Sequence, residues 1–259
     1  MSLKCQSLLR DRRGREMAQA ATLSYDFPDG HRIEEHFHPE DQLVFASEGV
    51  MTVRTEQGIW VVPPLRAVWI PAQTPHSVAM SGPVSMRTLY FAPRRIRPLG
   101  AKCFVMNVSP LLRELILHAC QFPRLRKNDA IQRRVLEFIV EQLKAANSIP
   151  LQLPQPNDSR AMRVAQALMA EPGKQGTLQN LCEDCGASKR TIERLFIAET
   201  KMTFRQWRQQ LRLLHAMQLL ASGEKVTGAA LDAGYNSASS FIAMFRRQLG
   251  QTPRRYFEA

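Results

Sequence analysis

The last hundred residues of this 259-residue chain repeat one pattern, and the repeat limits the possible folds more than any other feature. Each copy holds two amphipathic stretches around a glycine-containing turn, with a serine placed to cap the second stretch. A turn that tolerates positive φ, followed by a capped second helix, is the arrangement of a helix-turn-helix unit, so we expect two such units. Aligning Ser188 with Ser237 also pairs Ile192 with Phe241, Leu195 with Met244, Phe196 with Phe245 and Trp207 with Tyr256.

A long helix is predicted between the two units. Its pattern runs without interruption from Met202 to Ser222, with Thr203 as the predicted N-cap and Gly223 directly after the end. A rigid helix of this kind can hold two reading helices about 34 Å apart, which is the spacing of successive major grooves in DNA.

Charge is distributed unevenly along the chain. Lys and Arg number 35 against 23 Asp and Glu, which gives a net charge of +12 at pH 7. Residues 17–90 sum to −4, whereas residues 91–156 sum to +7 and residues 157–259 sum to +6. Excess positive charge favours a polyanionic partner, and its place in a capped helical repeat indicates nucleic acid instead of a membrane surface.

The sequence predicts a cytoplasmic protein without membrane spans. No apolar run approaches the ~18–20 residues that a membrane span needs. Asp11 and Glu16 interrupt the basic N-terminus and no apolar segment follows it, so no secretory signal is expected. The five cysteines are scattered, and Cys182 and Cys185 lack the additional ligands of a zinc site, so we expect small core residues there.

Residues 22–92 have the sequence pattern of a small antiparallel β structure. Their apolar runs are short, rich in β-branched and aromatic residues, and separated by Gly and Pro. Turns are predicted at residues 47–49 and 81–83, and the pattern as a whole indicates a barrel or sandwich. The six runs cover residues 43–45, 50–53, 59–62, 67–70, 77–80 and 86–91.

Helical spacing begins at Ser109, where Pro110 suits a first helical position. Ser109 is a predicted N-cap, and Asn128 or Asp129 is the predicted cap of a second helix. Together they predict a helical hairpin over residues 109–146. Its apolar stripes can pack on the β domain or form a dimer interface, and the pattern leaves both open. The stripes comprise Leu111, Leu112, Leu115 and Ile116, then Ile131, Val135, Phe138, Ile139, Gln142 and Leu143.

These patterns predict an α+β chain of two domains. Residues 1–16 form a basic tail, and residues 17–148 form an antiparallel β-barrel domain that includes the helical hairpin. Residues 149–158 hold three prolines and predict an extended linker. Residues 159–259 form an all-α domain with two helix-turn-helix units joined by a long helix.

A more specific signal lies within the C-terminal domain. It consists of residues 187–196 (Ala-Ser-Lys-Arg-Thr-Ile-Glu-Arg-Leu-Phe), Ala233-Gly234-Tyr235, Phe241 and residues 245–253 (Phe-Arg-Arg-Gln-Leu-Gly-Gln-Thr-Pro). Over residues 159–257 this order resembles the DNA-binding domain of the AraC/XylS family of bacterial transcriptional regulators. The resemblance implies a regulator that binds double-stranded promoter DNA and makes RNA polymerase a candidate partner.

The first predicted reading helix begins at Ser188 and exposes Lys189, Arg190, Glu193 and Arg194. Arginine can pair with guanine O6 and N7, and glutamate can accept a hydrogen bond from cytosine. The alternative is a solvated helix face whose charges pair with one another, as Lys189 can with Glu193. We favour DNA reading because of the repeat.

The second predicted reading helix is capped by Ser237 and exposes Ala238, Ser239, Ile242 and Ala243. None of these side chains can pair with a base through two hydrogen bonds, and family members often carry longer polar residues here. We therefore expect the first unit to specify bases and the second to hold phosphate. The phosphate contacts are assigned to Arg246, Arg247, Arg254 and Arg255.

Three histidines in the β domain have a suggestive spacing. His36-Phe-His38 precedes Gln42, and Gln73 precedes His76. These segments resemble the two motifs of the cupin barrel, a family in which three histidines and a glutamate hold one metal. Gln42 stands where the glutamate would be, and Gln73 replaces a typical glycine. The resemblance implies either a metal on the three histidines or, as we favour, an effector pocket without a cofactor.

The leading hypothesis is a DNA-binding transcriptional regulator that responds to a small-molecule effector and is not an enzyme. The alternative is a metal-dependent cupin enzyme with a DNA-binding tail, which the missing carboxylate and the lack of a placed acid–base pair disfavour. Aromatic residues, including Phe45 and Tyr90, can line the pocket or lie in the core. The predicted effector site comprises His36, His38, Gln42, Trp60, Trp69 and His76.

Overall fold

The structure is a computed structural model, and the predicted tail, residues 1–16, lies outside the described residues except for Leu8 and Leu9. The described chain divides into two compact units, one holding residues up to 55 with 60–152 and the other holding 56–59 with the residues from 153 onward. The described residues are 8–9, 18–93, 95–96, 99–183 and 185–257.

The first unit is an antiparallel sheet domain. Its strands pair in the order β8-β1-β6-β3-β5-β7-β9, and β2 pairs with β6. The two longest strands, β3 and β6, lie side by side at the centre. The strands of the chain are β1 (Ala20–Phe27), β2 (Arg32–His36), β3 (Asp41–Thr55), β4 (Gly58–Val62), β5 (Arg66–Ile70), β6 (His76–Phe91), β7 (Phe104–Asn107), β8 (Arg124–Leu125), β9 (Ser148–Ile149) and β10 (Gln152–Pro154).

The turns predicted at residues 47–49 and 81–83 are wrong, because both segments lie inside the continuous strands β3 and β6. The pairing of these strands shifts register around Glu48, where a β-bulge takes the place of a turn. Gly49 has φ +73, and a β-carbon there would stand 2.2 Å from the carbonyl oxygen of Pro83. Glycine at this position therefore marks a bulge and a close strand approach, which composition alone does not separate from a turn.

The predicted helical hairpin is confirmed as α1 (Pro110–Ala119) and α2 (Ala130–Ala145). Ser109 caps α1 and accepts from the Leu112 N–H at 3.1 Å, while Asp129 caps α2. The hairpin closes the core of the sheet domain. Buried members of that core from the sheet and from the helices are Leu43, Phe45, Trp69, Leu89, Phe91, Leu112, Ile116, Leu136, Ile139 and Leu143.

The predicted apolar stripes of the hairpin are only partly buried. Leu112, at 1% exposure, lies in the core, but Leu111 is 55% exposed beside it. Ile131 and Phe138 are also exposed, and Leu136, absent from the predicted stripe, is buried. The sheet covers a narrower face of each helix than the apolar pattern spans, so residues at the edges of the stripe remain in solvent.

The second unit contains the helical repeat. Phe196 stacks edge-on against Trp207 at 5.3 Å, and the repeat-related Phe245 stacks edge-on against Tyr256 at 5.5 Å. The two sequence copies therefore build equivalent cores. The helices are α3 (Ser159–Ala170), α4 (Leu178–Cys182), α5 (Lys189–Thr200), α6 (Phe204–Ala221), α7 (Val226–Asp232), α8 (Ala238–Leu249) and α9 (Pro253–Phe257).

The long joining helix is confirmed as α6. Thr203 Oγ1 accepts from the Gln206 N–H at 3.2 Å, and the Gln206 side chain accepts from the Thr203 N–H at 2.9 Å. This reciprocal capping box explains the sharp start of the helix. The predicted fold class, an antiparallel β domain with a helical hairpin followed by an all-α domain of two helix-turn-helix units, is confirmed.

The segment predicted as a linker, residues 149–158, is extended but not free of structure. It includes the end of β9 and all of β10. The carbonyl oxygen of Pro154 accepts a hydrogen bond from the Trp207 indole at 2.7 Å, which ties the end of the segment to α6.

Candidate functional site

The first helix-turn-helix unit consists of α4, a turn and α5. Gly186 occupies the turn with φ +70, a conformation that favours glycine. Ser188 Oγ accepts from the Thr191 N–H at 3.3 Å, which confirms the predicted cap of α5. The exposed start of α5 leaves free backbone N–H groups where a phosphate can bind.

The two faces of α5 separate apolar from charged residues. Ile192 and Phe196 are fully buried, whereas the side chains of the predicted reading set are exposed. Lys189 Nζ lies 3.9 Å from Glu193 Oε1, a weak surface pair at this exposure. Among the described residues, no carboxylate forms an ion pair with Arg190 or Arg194, so both guanidinium groups are available for DNA.

The second helix-turn-helix unit consists of α7, a turn and α8. Gly234 occupies the turn with φ +84, and Ser237 Oγ accepts from the Ser240 N–H at 3.2 Å, as the predicted cap requires. Ser239 is exposed on α8, while Ala238 and Ile242 are half-buried. Other exposed residues of this helix are Ser240, Ala243, Arg246, Arg247 and Gln248.

The two candidate reading helices thus present unequal chemistry to solvent. The exposed face of α5 carries long charged side chains, and the face of α8 carries serine and alanine until Arg246 and Arg247 in its last turn. In its first two turns α5 offers side chains that can read a base pair through two hydrogen bonds, whereas α8 offers such side chains only in its last turn.

Cationic residues on α6 were missed by the sequence analysis. Arg205, Arg208 and Arg212 follow one another at spacings of three and four, which puts them on one face of the helix. The spacing of these arginines is present in the sequence, but the apolar pattern of α6 is stronger and predicts only a buried joining helix.

The three histidines of the sheet domain converge. His36 ends β2 and is the cross-strand partner of His76, which begins β6, and His38 follows β2. One ring nitrogen of each lies within 4.8 Å of one ring nitrogen of the others. The ring centroids of His36 and His76 are 4.3 Å apart, and those of His38 and His76 are 5.2 Å apart. His76 is fully buried.

Each of these rings is held by a backbone carbonyl at its Nδ1 atom. The distances are 2.9 Å from His36 to the Glu34 oxygen, 2.8 Å from His38 to the Glu40 oxygen, and 2.8 Å from His76 to the Thr74 oxygen. A carbonyl can only accept, so in a neutral ring of His36 or His76 the proton is on Nδ1 and the lone pair is on Nε2. His38 differs, because the amide oxygen of Gln42 faces its Nε2 and a neutral ring can donate to only one of its two acceptor neighbours.

Burial keeps two of the histidines neutral. It lowers the pKa of His76 to about 3 and outweighs the opposing hydrogen bond to the Thr74 carbonyl, and it also lowers the pKa of His38. His76 Nε2 is buried and has no hydrogen-bond partner among the described residues. A lone pair left unpaired in the interior is a ligand atom for a metal or an acceptor for a donor group.

Gln42 lies beside the histidines, as the sequence analysis expected. Its Oε1 is 2.9 Å from His38 Nε2, and its Nε2 donates to Thr88 Oγ1 at 3.0 Å and to the Tyr90 hydroxyl at 2.9 Å. Thr88 was not predicted, although it shares a strand face with Tyr90, two residues away. The amide carries no charge, so the cluster lacks the carboxylate of the cupin motif.

The predicted pocket tryptophans lie in the core. Trp60 and Trp69 are 0% and 1% exposed, and neither indole N–H has a hydrogen-bond partner among the described residues. Trp69 packs on Phe91 at 5.9 Å within the same core as Phe45. Of the six predicted effector residues, only the three histidines and Gln42 are therefore brought together as a cluster of polar side chains.

The donor set of the cluster fits a divalent transition metal. Three imidazoles whose rings are oriented by hydrogen bonds suit Zn²⁺, Cu²⁺, Ni²⁺ or Fe²⁺, and a three-histidine site leaves a position open for another ligand. The carbonyl partners at Nδ1 are the outer-shell contacts that orient histidine ligands. His36, His38 and His76 would hold the ion.

The pair Cys182 and Cys185 lies in the core of the first helix-turn-helix unit, as predicted, at 5% and 1% exposure. Burial and the neighbouring Cys185 raise the pKa of Cys182 to about 11, so this thiol stays protonated near neutral pH. A protonated thiol is neither a good metal ligand nor a good nucleophile.

Comparison with known proteins gives the family. The pattern described as an AraC-like ligand binding domain matches residues 22–170, and a helix-turn-helix domain pattern matches residues 181–259. The HTH-type transcriptional regulator NimR of Escherichia coli is 34% identical over 221 residues, which cover 85% of this chain and 81% of NimR. The virulence regulon transcriptional activator VirF of Yersinia enterocolitica is 25% identical over 244 residues, covering 91% of this chain and 82% of VirF.

A solved structure of ToxT from Vibrio cholerae, bound to an unsaturated fatty acid, is similar to this chain with a TM-score of 0.39 and 14% sequence identity. The match covers 94% of this chain and 96% of the ToxT chain. A TM-score this low supports no conclusion about the ligand of this chain. No helix among the described residues is both long and apolar enough to span a membrane. A ligand-binding-domain pattern matches more than half of this chain, and a relative at 34% identity is matched over 81% of its own length, so the chain belongs to the AraC family of transcriptional regulators.

Proposed function

We propose that this regulator reads its operator unequally, with α5 selecting bases and α8 following the DNA backbone. The contrast between the two exposed helix faces carries the proposal. Arg190 and Arg194 on α5 can each pair with a guanine, which discriminates against a wrong base by ~1–3 kcal/mol. Ser239 and Ala243 on α8 have no such capacity, and Arg246 and Arg247 in its last turn suit phosphate.

Selection of binding sites from a pool of randomised DNA tests this division, using intact protein and the variants Arg194→Ala and Arg247→Ala. We expect Arg194→Ala to relax base preference at one or two positions of the half-site contacted by α5. Arg247→Ala should weaken binding to all sequences alike and reduce the salt dependence. Uniform weakening by Arg194→Ala, with base preference unchanged, would contradict the proposal.

We further propose that His36, His38 and His76 form the site at which the sheet domain receives its signal from a small-molecule effector. The Nε2 lone pairs of His36 and His76 can accept hydrogen bonds from a polar ligand. In this proposal the protein acts in the cytoplasm, catalyses no reaction, and alters the access of RNA polymerase to the promoter.

A resident metal at the same cluster is a second candidate, favoured by the unpaired Nε2 of buried His76 and by the carbonyl contact at every Nδ1. Metal analysis of the purified full chain and of His76→Asn separates the two candidates. The metal candidate requires about one equivalent of a transition metal in the unaltered protein and its loss in the variant. Less than a tenth of an equivalent, with His38→Ala still regulated, would end the metal candidate. Less than a tenth of an equivalent, with regulation lost in His38→Ala, would support the effector candidate.

We also propose self-association through the helical hairpin. The exposed Leu111, Ile131 and Phe138 on α1 and α2 form apolar surface that a second copy can cover. Analytical ultracentrifugation of the full chain tests this, with Phe138→Ser as the variant. A monomer at micromolar concentration would contradict dimerisation through residues 109–146.

A further inference from the structure

A groove of about 520 Å³ lies beside α8 and is strongly cationic. Arg205, Arg208 and Arg212 of α6 form one wall, and Arg247 of α8 lies on the other. We call these four side chains the arginine groove. The groove is also lined by Tyr235 and Ser240, and none of the described residues that line it is Asp or Glu.

Among the described residues, no carboxylate forms an ion pair with the side chains of the arginine groove. Arg208 donates to the carbonyl oxygens of Gly176, at 2.7 Å, and Lys174, and Arg212 donates to the same Lys174 oxygen at 3.3 Å. These acceptors are neutral, so they orient the guanidinium groups without cancelling their charge. The Nε atoms of Arg208 and Arg212 are buried without a partner among the described residues.

Burial and mutual repulsion make this arrangement costly without an anion. Burial lowers the pKa of Arg208, and the neighbouring Arg212 lowers it further. Clustered guanidinium groups in a concave site concentrate positive potential and attract an anion from solution. The planar guanidinium fork matches the geometry of phosphate as well as that of carboxylate, and DNA supplies phosphate.

The position of the arginine groove indicates where the phosphate comes from. Ser240, Ala243 and Arg247 line it and also belong to the exposed face of α8. A helix that enters the major groove has a phosphodiester strand along its flank. We propose that the arginine groove holds the phosphodiester backbone of the operator next to the half-site that α8 enters.

This inference rests on the proposed function, and it explains how α8 can contribute affinity without base-reading side chains. The α6 helix then contacts DNA itself in addition to joining the two units. Phosphate contacts of this kind position a protein and carry no base preference, which agrees with the proposed role of the second unit.

Arg205→Ala is the test variant, because Arg205 is exposed and its side chain makes no hydrogen bond or ion pair among the described residues. Gln209→Ala is the matched control, since Gln209 lines the same groove without charge. Binding of full-length protein to operator and to unrelated DNA is measured between 50 and 200 mM salt, together with hydroxyl-radical footprints.

We expect Arg205→Ala to reduce the slope of log K against log salt by about 0.9, equally for both DNAs, and Gln209→Ala to leave it unchanged. The footprint of Arg205→Ala should lose protection only on the strand flanking the α8 half-site. If Arg205→Ala leaves the slope and the footprint unchanged while wild type binds its operator, the proposed role of the arginine groove is wrong and the proposed function still stands. Absence of any wild-type footprint would overturn the proposed function with it.

A small anion is the competing occupant. Titration of the full chain with inorganic phosphate and with AMP distinguishes it from DNA. Binding of either at micromolar concentration, lost in Arg205→Ala and accompanied by unchanged DNA affinity, would overturn the proposal in favour of a small-ligand site.

Discussion

Gly234 and Arg212 lie so close that a β-carbon built on the glycine would stand 2.9 Å from the guanidinium carbon. The same β-carbon would lie 2.8 Å from the carbonyl oxygen of Gly173, and Gln175 donates to the Gly234 carbonyl at 3.2 Å. The loop before the first helix-turn-helix unit therefore rests on the turn of the second. This contact, together with α6, fixes the position of one helix-turn-helix unit relative to the other.

Gly234→Ala should destabilise the helical domain more than Gly250→Ala does. Both glycines have positive φ, at +84 and +82, so each alanine costs roughly 1–2 kcal/mol in backbone strain. A β-carbon at Gly250 meets nothing within 4 Å, whereas at Gly234 it meets backbone, and the overlap adds ~1–3 kcal/mol. Denaturant unfolding of the full chain, followed by Trp207 fluorescence, measures both. Equal losses would mean that the Gly173 contact is not tight.

Leu112→Ala and Leu111→Ala test which face of α1 is covered. Leu112 is buried, so its truncation should lower the free energy of unfolding by ~2–5 kcal/mol. The neighbouring Leu111 is 55% exposed, and its truncation should change stability by no more than about 0.5 kcal/mol in the monomer. Unfolding at low protein concentration gives both values. A large loss for Leu111→Ala that appears only at high concentration would instead support the proposed dimer interface.

Ser237→Ala should fray the start of α8. Its Oγ is the acceptor for the Ser240 N–H, and loss of such a cap costs about 1 kcal/mol. Amide hydrogen exchange in the first turn of α8 should accelerate, and Ser237→Asn should restore the protection. Ser239→Ala is the control, because Ser239 is exposed on the same helix and makes no capping bond. Similar exchange in the two alanine variants would show that the cap contributes nothing.

Gln42→Glu should strengthen metal binding if the histidine cluster holds a metal. Gln42 Oε1 already lies 2.9 Å from His38 Nε2, so a carboxylate there would supply the missing negative charge. We expect at least about a tenfold gain in affinity, measured by competition with a chromophoric chelator. Without metal, a buried carboxylate should lower the melting temperature, and added metal should restore it. Gln42→Ala should show no gain. No difference between the two variants would argue against metal.

Local features of the chain were predictable from the sequence. Ser188, Ser237 and Thr203 were identified as caps because a short polar side chain before an apolar repeat satisfies orphan N–H groups within three residues. The repeat itself placed both helix-turn-helix units, since equivalent core pairs such as Phe196–Trp207 arise from equivalent spacing. None of these inferences required knowledge of distant contacts.

Inferences that depend on distant neighbours were less accurate. Gly49 was interpreted as a turn, although its strand continues because β6 follows alongside and places Pro83 against it. Leu111 was grouped with Leu112 because an apolar stripe does not reveal the width of the surface that covers it. The sequence predicts Trp60 and Trp69 in a ligand pocket, whereas both side chains are buried in the core.

The sequence by itself determined the repeat, the caps, the uneven charge and the family resemblance, because each follows from residues close together in the chain. The cupin resemblance already implied that the three histidines meet, and only the tertiary structure showed that a backbone carbonyl lies at every Nδ1. It also decided that arginines of α6 and α8 share one groove. Both arrangements arise from long-range packing, where the position of a side chain depends on partners that local spacing does not specify.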